Sequence, residues 1–299
     1  MWVPMQSSPN RGPAFRPEWM RTSHSALTPK MHDCPMAKIE DLLQRRTDVS
    51  TFLVHLTRAS ETSTARQNLV AMITGGDDGR SAIEARSAFG LGRDYDKHLG
   101  HIATQKAVCF TETPLEHIWM MLETIEGRTV HFEPWGLATT KTAARKAGCS
   151  PVWYTNKSAA NWDRNPGRYV RKLIAEAVER CAKGDGSIDA DQLQQELVFR
   201  VAPFVEEMGH SIEGVPKEFW WEREWRHIGD YPLSFPSRIV AILAPEAEHE
   251  SLSQELQGLD VHQRWLDRPV LDPRWGLERM ISTMSRVNPD YVGPFPDAD

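Results

Sequence analysis

The sequence predicts an α+β fold, and three observations carry that prediction. Short runs rich in β-branched and aromatic residues, STFLVHLT, KAVCFT and IVAILAP, read as strands. Longer stretches with apolar residues three and four apart, such as ARQNLVAMIT and RYVRKLIAEAVERCA, read as helices. The chain has no internal repeat and no dinucleotide fingerprint, since Gly90-Leu91-Gly92 lacks the third glycine and the preceding strand that such a loop needs.

Residues 1–36 mix Pro, Ser, Arg and His with neither helical nor strand period and read as a flexible arm. At 299 residues the chain can bury a substantial core, and a single α+β domain is expected over 37–287. It opens with a helix in KIEDLLQRRTD, where Ile39, Leu42 and Leu43 form a short apolar face, followed by the strand of STFLVHLT. ETSTARQNLVAMITGG places Ala65, Leu69, Met72 and Ile73 at helical spacing and closes on paired glycines, a helix stop. SAIEARSAFGLG reads as a short strand or turn. KAVCFTETPLEHIWMMLETIEG reads as a strand, a Thr-Glu-Thr-Pro turn and a helix bearing Leu115, Ile118, Trp119 and Leu122, with Thr113 as N-cap and Pro114 at the first helical position.

GLATTKTAARKAG and SPVWYTN predict strand, short helix and strand, punctuated by Gly148 and Pro151. RYVRKLIAEAVERCA sets Val170, Leu173, Ile174, Ala177 and Val178 on one face, and DADQLQQELVFRVAPFVEEMG continues as a second helical run, so residues about 169–209 read as a helical insertion. WEREWRHI alternates large aromatic and charged side chains as a strand does, IVAILAP is a buried-strand run, and HESLSQELQGL is helical. From Asn288 the chain is rich in proline and acid and is expected to be an extended tail over 288–299.

A net charge of -6 disfavours stable, non-specific grip on duplex nucleic acid, although a local basic groove and a transient nucleic-acid substrate stay open. The four cysteines, Cys34, Cys109, Cys149 and Cys181, are scattered with no CxxC pair, which fits a reducing compartment better than a disulfide framework. No window is apolar enough to span a bilayer, and the first residues, interrupted by proline, lack the apolar core of a secretory signal; a cytoplasmic location without a membrane partner is expected.

Three separated segments hold the polar residues that can do chemistry. In FLVHLTR, His55 and Thr57 share a face if the segment is a strand, where imidazole and hydroxyl can bond a polar ligand such as a ribose; the bland reading is a satisfied structural histidine. In WEREWRH, Glu222, Glu224 and Arg226 would share one strand face, opposite Trp221, Arg223 and Trp225. Two carboxylates so close raise one another's pKa, a pattern suited to acid-base work or to stabilising a developing cation, and Arg226 can relieve the repulsion. The alternative is a charged strand face with cross-strand ion pairs. In CFTETPL, Thr111, Glu112 and Thr113 lie at a strand-to-helix junction whose backbone N–H groups can hold a phosphate. The tryptophans at 220, 221 and 225 read as packing residues rather than a base-stacking platform. No metal site is expected: the histidines form no HExxH, and His98-Leu-Gly-His101 has no acidic third ligand nearby.

The order of FLVHLTR, NLVAMITGG with IEARSAFG, KAVCFTETPLEHI, WGLATTK with SPVWY, FWWEREWRHIGD and IVAILAPEAEH resembles the AbiGi-like abortive phage-resistance proteins over about Thr51 to His249. More distantly, a His-containing first strand followed by an NL-containing helix resembles the opening of DarT-like ADP-ribosyltransferases. That resemblance implies mixed sheets in an ADP-ribosyltransferase-like core with a helical insertion. It implies NAD as substrate, held by His55 with Thr57 and Arg58 and by Phe110 or Thr111, with Glu224 or Glu222 as catalytic carboxylate. The function so implied is an NAD-dependent ADP-ribosyltransferase, a phage-defence or toxin-type effector acting on a protein or nucleic-acid acceptor. The alternative is a non-enzymatic antitoxin or sensor of an abortive-infection system, with a toxin–antitoxin partner. A metal-dependent nuclease using Glu222 and Glu224 is weaker, because no Asp or His at suitable spacing completes a site.

Overall fold

The computed structural model describes residues 47–75, 80–93, 95, 105–125, 128, 130–158, 162–210, 216–233 and 238–287. Contacts divide the chain into Met1–Leu42 and Leu43–Asp299, and everything below concerns the second unit. The expected arm, the helix from Lys38, the pair His98 and His101 and the tail from Asn288 lie outside the described residues.

Strand β1 (Phe52–Leu56) leads to helix α1 (Ala65–Thr74). The sequence encodes both ends of α1. Thr64 and Gln67 form a reciprocal capping box, and Gly75 closes the helix in the left-handed conformation that a glycine adopts without a Cβ clash. Two short strands follow, β2 (Ala82–Ile83) and β3 (Ser87–Ala88), then β4 (Lys106–Thr111). Leu115–Leu122 winds as a 3-10 helix. This corrects the expected apolar face: at three residues per turn the buried positions are Leu115, Ile118 and Met121, and Trp119 is exposed. Thr113 does not cap it, since its hydroxyl is bonded to that of Thr111.

Next come β5 (Gly136–Thr140), α2 (Lys141–Ala147), β6 (Ser150–Pro151) and β7 (Trp153–Asn156), then α3 (Pro166–Arg180), α4 (Ala190–Gln195) and α5 (Leu197–Val201). The helical run expected through Gly209 stops earlier. Pro203, which cannot donate to a helix, lies in a 3-10 turn over Ala202–Phe204, and Val205–His210 is strand β8. β9 (Pro216–Lys217), a 3-10 turn over Phe219–Glu222, β10 (Glu224–Ile228), β11 (Tyr231–Pro232) and β12 (Ile239–Leu243) follow. The chain then runs through α6 (His249–Gly258), α7 (Gln263–Leu266), β13 (Val270–Leu271) and α8 (Leu277–Met284).

The result is a mixed α+β fold. The principal sheet has eight strands in the order β13-β12-β5-β1-β4-β10-β6, with β3 also paired to β4. Both faces are covered, which is why β1, β4 and β12 are apolar with little polar alternation. On one face Leu53, Phe110 and Leu137 pack with Leu69 and Ile73 of α1 and Leu252 of α6. On the other, Val54, Leu56 and Ala138 pack with Ile118 and Met121 of the 3-10 helix and Met280 of α8. A third cluster joins α3, α4 and α5 through Ile174, Leu193 and Phe199 to Leu91 and to Val205 of β8. Strand β8 pairs with β7 in parallel and with β9 antiparallel, forming a separate three-stranded sheet. Burying the largest of these side chains contributes about 1.5–3 kcal/mol each.

Where β1 meets β4 the principal sheet is nearly divided. β1 matches β5 over five successive residues, whereas it meets β4 at Val54 and Thr111 alone, and β3 takes up the same edge of β4 at Ala107 and Lys106. The three segments singled out in the sequence thus become adjacent strands, β1, β4 and β10, with an opening between the first two.

Candidate active site

A cavity of ≈ 990 Å³ lies at this divergence and is lined by His55, Thr57, Arg58, Phe110, Thr111, Glu222 and Glu224. Its other walls include Asn68 and Met72 of α1, Ile83 of β2, and Tyr154 and Glu206 of the smaller sheet. Groups from both faces of the principal sheet reach it. His55 shares its side of β1 with Leu53, while Glu224 and Arg226 alternate with Trp225, which packs in the Leu53 cluster.

His55 stands at the gap in strand pairing. Its Nδ1–H donates to the Cys109 carbonyl at 2.8 Å, a β4 oxygen that lies between the contacts with β1 and β3. A carbonyl only accepts, so the proton is on Nδ1 and Nε2 carries the lone pair of the neutral ring. Burial holds the His55 pKa below its ordinary value, which favours that neutral form. Phe110 meets the ring edge-on, with centroids 5.8 Å apart. The imidazole is therefore an oriented acceptor for a hydroxyl.

Thr57 and Thr111 have different roles from those the strand pattern suggests. Thr57 follows the end of β1, and its buried hydroxyl donates to the carbonyls of Ala65 and Trp135 at 3.0 and 3.2 Å, tying β1 to α1 and to the lead-in of β5. The Thr111 hydroxyl donates to the Glu222 carbonyl at 2.7 Å, and the Glu112 N–H reaches the same oxygen at 3.3 Å. The end of β4 thus fixes the backbone at Glu222. Arg58 is exposed, and among the described residues its guanidinium has no ion pair.

Glu222 and Glu224 do not share a strand face, contrary to the alternation read from WEREWRH. Glu222 ends the 3-10 turn, and Arg223 has left-handed backbone, φ 49 and ψ 55, so strict alternation begins only at Glu224. The strained residue is held by its guanidinium: Arg223 Nη2 lies 3.0 Å from the buried Glu112 carboxylate, and its Nη1 donates to the Asp48 carbonyl at 3.1 Å. Glu112 also binds Lys141 Nζ at 2.7 Å and accepts from Trp225 Nε1 at 2.7 Å, so the acid of the Thr-Glu-Thr-Pro turn anchors the approach to β10.

The two glutamates are electrostatically distinct. Burial, aided by the nearby Glu224 charge and opposed by the Arg128 guanidinium 3.5 Å away, raises the Glu222 pKa from 4.5 to about 7. Glu224 is gripped by Arg226, whose Nε and Nη2 donate to its two oxygens at 2.9 and 2.8 Å. Arg226 is buried, and despite that desolvation the carboxylates around it hold it firmly in the charged form. Cys109, facing this pair, has its thiol pKa pushed well up by burial and by the Glu224 charge. Tyr154 is raised in the same way, burial first and Glu224 second.

The pattern reading missed Glu206, Arg128 and Tyr154. Glu206 Oε2 accepts from Arg226 Nη2 at 2.9 Å. Its segment, FVEEMG, follows a helical run, and only Pro203 signals the change to strand. Arg128 and Tyr154 carry no local motif. Among the described residues no group of three or more His, Cys, Asp or Glu side chains is placed to hold a metal ion. None of their helices is long and apolar enough to cross a membrane. No family model, curated protein or solved structure matches the chain.

Proposed function

We propose that this chain is an NAD-dependent ADP-ribosyltransferase, a phage-defence or toxin-type effector that transfers ADP-ribose to a macromolecular acceptor. One observation carries the reading most: a single cavity of nucleotide-scale volume gathers an oriented neutral imidazole and two glutamates of unlike electrostatic character, together with an exposed arginine. The cavity is lined by residues of both β1 and β4, where the two strands part.

The chemistry follows from those groups. Nε2 of His55 accepts a hydrogen bond from a ribose hydroxyl, and Arg58 supplies positive charge for the pyrophosphate. Cleavage of the glycosidic bond sends its electron pair out with nicotinamide and leaves oxocarbenium charge on the ribose. Glu224, held by two bonds from Arg226, is the carboxylate that stabilises this charge. Glu222, with a pKa near 7, is suited to take the proton of the acceptor as its nucleophilic atom bonds to the ribose carbon. Two glutamates pushed into different environments thus have two different tasks.

The test is incubation of the purified protein with labelled NAD and total cell extract, followed by protease and nuclease digestion of the labelled fraction. Label is expected in one macromolecular class, and Glu224→Gln is expected to abolish it while leaving the fold intact. Full transfer by both Glu224→Gln and Glu222→Gln sinks the assignment. Expression alone is expected to arrest growth; harmless expression with rescue from a partner toxin, and no label transfer, favours the non-enzymatic antitoxin or sensor.

A further inference from the structure

We propose that Glu206, on β8, is a positioning residue for Glu224 and acts through the Arg226 guanidinium. The inference rests on the transferase reading only for its kinetic consequence; the positioning itself follows from hydrogen-bond geometry.

A carboxylate held side-on by a guanidinium lies near the guanidinium plane, so whatever fixes that plane fixes the carboxylate. Nε and one Nη2 hydrogen of Arg226 go to Glu224. The second Nη2 hydrogen goes to Glu206 Oε2 at 2.9 Å, and Nη1 donates to the Pro203 carbonyl. The Phe89 ring covers the guanidinium face, with Cζ 5.0 Å from its centroid. Glu224 therefore takes its orientation from a plane held by three contacts outside β10.

Of the two polar anchors, the Pro203 carbonyl belongs to the backbone, and Glu206 is the one a side chain supplies. Both come from the segment that leaves α5 and enters the three-stranded sheet, which gives this part of the chain a direct mechanical connection to the proposed reaction centre. Productive geometry tolerates about 0.5 Å and 10–20°, and a misplacement of roughly 1 Å costs on the order of 10²-fold in rate. Loss of the Glu206 bond lets the guanidinium swing, and Glu224 with it.

Two readouts on the full chain test this. In the first, the Arg226 Nε–H signal is followed by NMR, assigned by its loss in Arg226→Lys and shown by Glu224→Gln to report the clamp. Glu206→Ala and Glu206→Asp, the latter keeping the charge but withdrawing the oxygen by one methylene, are expected to displace or broaden it. Glu206→Gln, whose amide oxygen still accepts from Nη2, is expected to leave it near its wild-type position. In the second, nicotinamide release is expected to fall about 10–100-fold in kcat for the Ala and Asp variants, with KM for NAD within about twofold and near-complete rescue by Gln. An unmoved Arg226 signal in both Ala and Asp variants overturns the positioning role, as does loss of signal and rate in Gln equal to that in Ala. If the wild type consumes no NAD, the transferase reading falls, and the Arg226 signal still decides the role of Glu206.

Discussion

Replacing Arg226 with methionine, which nearly matches its length without its charge, is the sharpest perturbation of the fold around the proposed site. The substitution removes donors to both Glu224 oxygens, to Glu206 and to the Pro203 carbonyl. Removing one partner of a buried ion pair costs about 3–5 kcal/mol because the other charge is left uncompensated. Glu224 and Glu206 keep 17% and 13% of their side-chain surface in contact with solvent, which screens them in part and places the expected loss near the lower end, ~3 kcal/mol. The assay is equilibrium urea unfolding at neutral pH, followed by circular dichroism. Adding Glu206→Gln and Glu224→Gln to Arg226→Met removes the stranded charges and is expected to recover at least about half the loss, since a neutral, packed replacement of a buried ion cluster is often near neutral in stability. A single-variant loss below about 1 kcal/mol, or a triple variant no more stable than the single one, refutes the charge-cluster account.

Three further outcomes are expected. Glu222 has a folded-state pKa above its unfolded value, about 7 against 4.5, so the native state binds its proton more tightly; the stability this contributes is present below pH 4.5 and is lost as pH rises through 7. Glu222→Gln is therefore expected to be about 2–3 kcal/mol more stable than wild type at pH 8 and nearly equal at about pH 4 in paired denaturation curves, and to flatten the rise in transfer rate near pH 7. Gly136→Ala drives a Cβ against the His55 carbonyl oxygen and is expected to cost about 1–3 kcal/mol by thermal melting while weakening NAD binding measured by calorimetry, because β5 would push on the strand that holds His55. Thr57→Val removes the donor to two buried carbonyls and is expected to cost about 1–2 kcal/mol in stability with KM for NAD unchanged; an intact fold with a large KM increase would return Thr57 to a direct role in binding.

The sequence made the central strands legible because burial on both sheet faces leaves an uninterrupted apolar signature. STFLVHLT, KAVCFT and IVAILAP therefore read as strands with good boundaries. The boundaries of α1 were equally legible, since Thr64, Gln67 and the glycine stop each perform a local backbone task. Two kinds of feature were not. A 3-10 helix and an α-helix differ in which residue comes round to the core, so α-helical spacing points Trp119 inward where the 3-10 winding buries Met121. Left-handed backbone at Arg223 breaks an alternation that looks unbroken in WEREWRH, and it depends on Glu112, distant in sequence.

The candidate site shows the same limit. His55, Glu222 and Glu224 are visible as polar residues within apolar or aromatic runs of the sequence. The contacts that put the two glutamates in different environments are not, because Glu206 and Arg128 come from segments whose local pattern says nothing about where they end. Strand pairing, not motif, brings the pieces together: β1, β4 and β10 are neighbours, and the single contact between β1 and β4 leaves the opening they line.

The decisive measurement for the transferase assignment is release of nicotinamide from NAD by the purified protein, with and without cell extract. Release by the wild type is expected, with a fall of about 10²–10³-fold in Glu224→Gln with the fold retained, and a raised KM in His55→Ala. Absence of release from the folded wild-type protein with extract present, or undiminished release from Glu224→Gln, overturns the assignment.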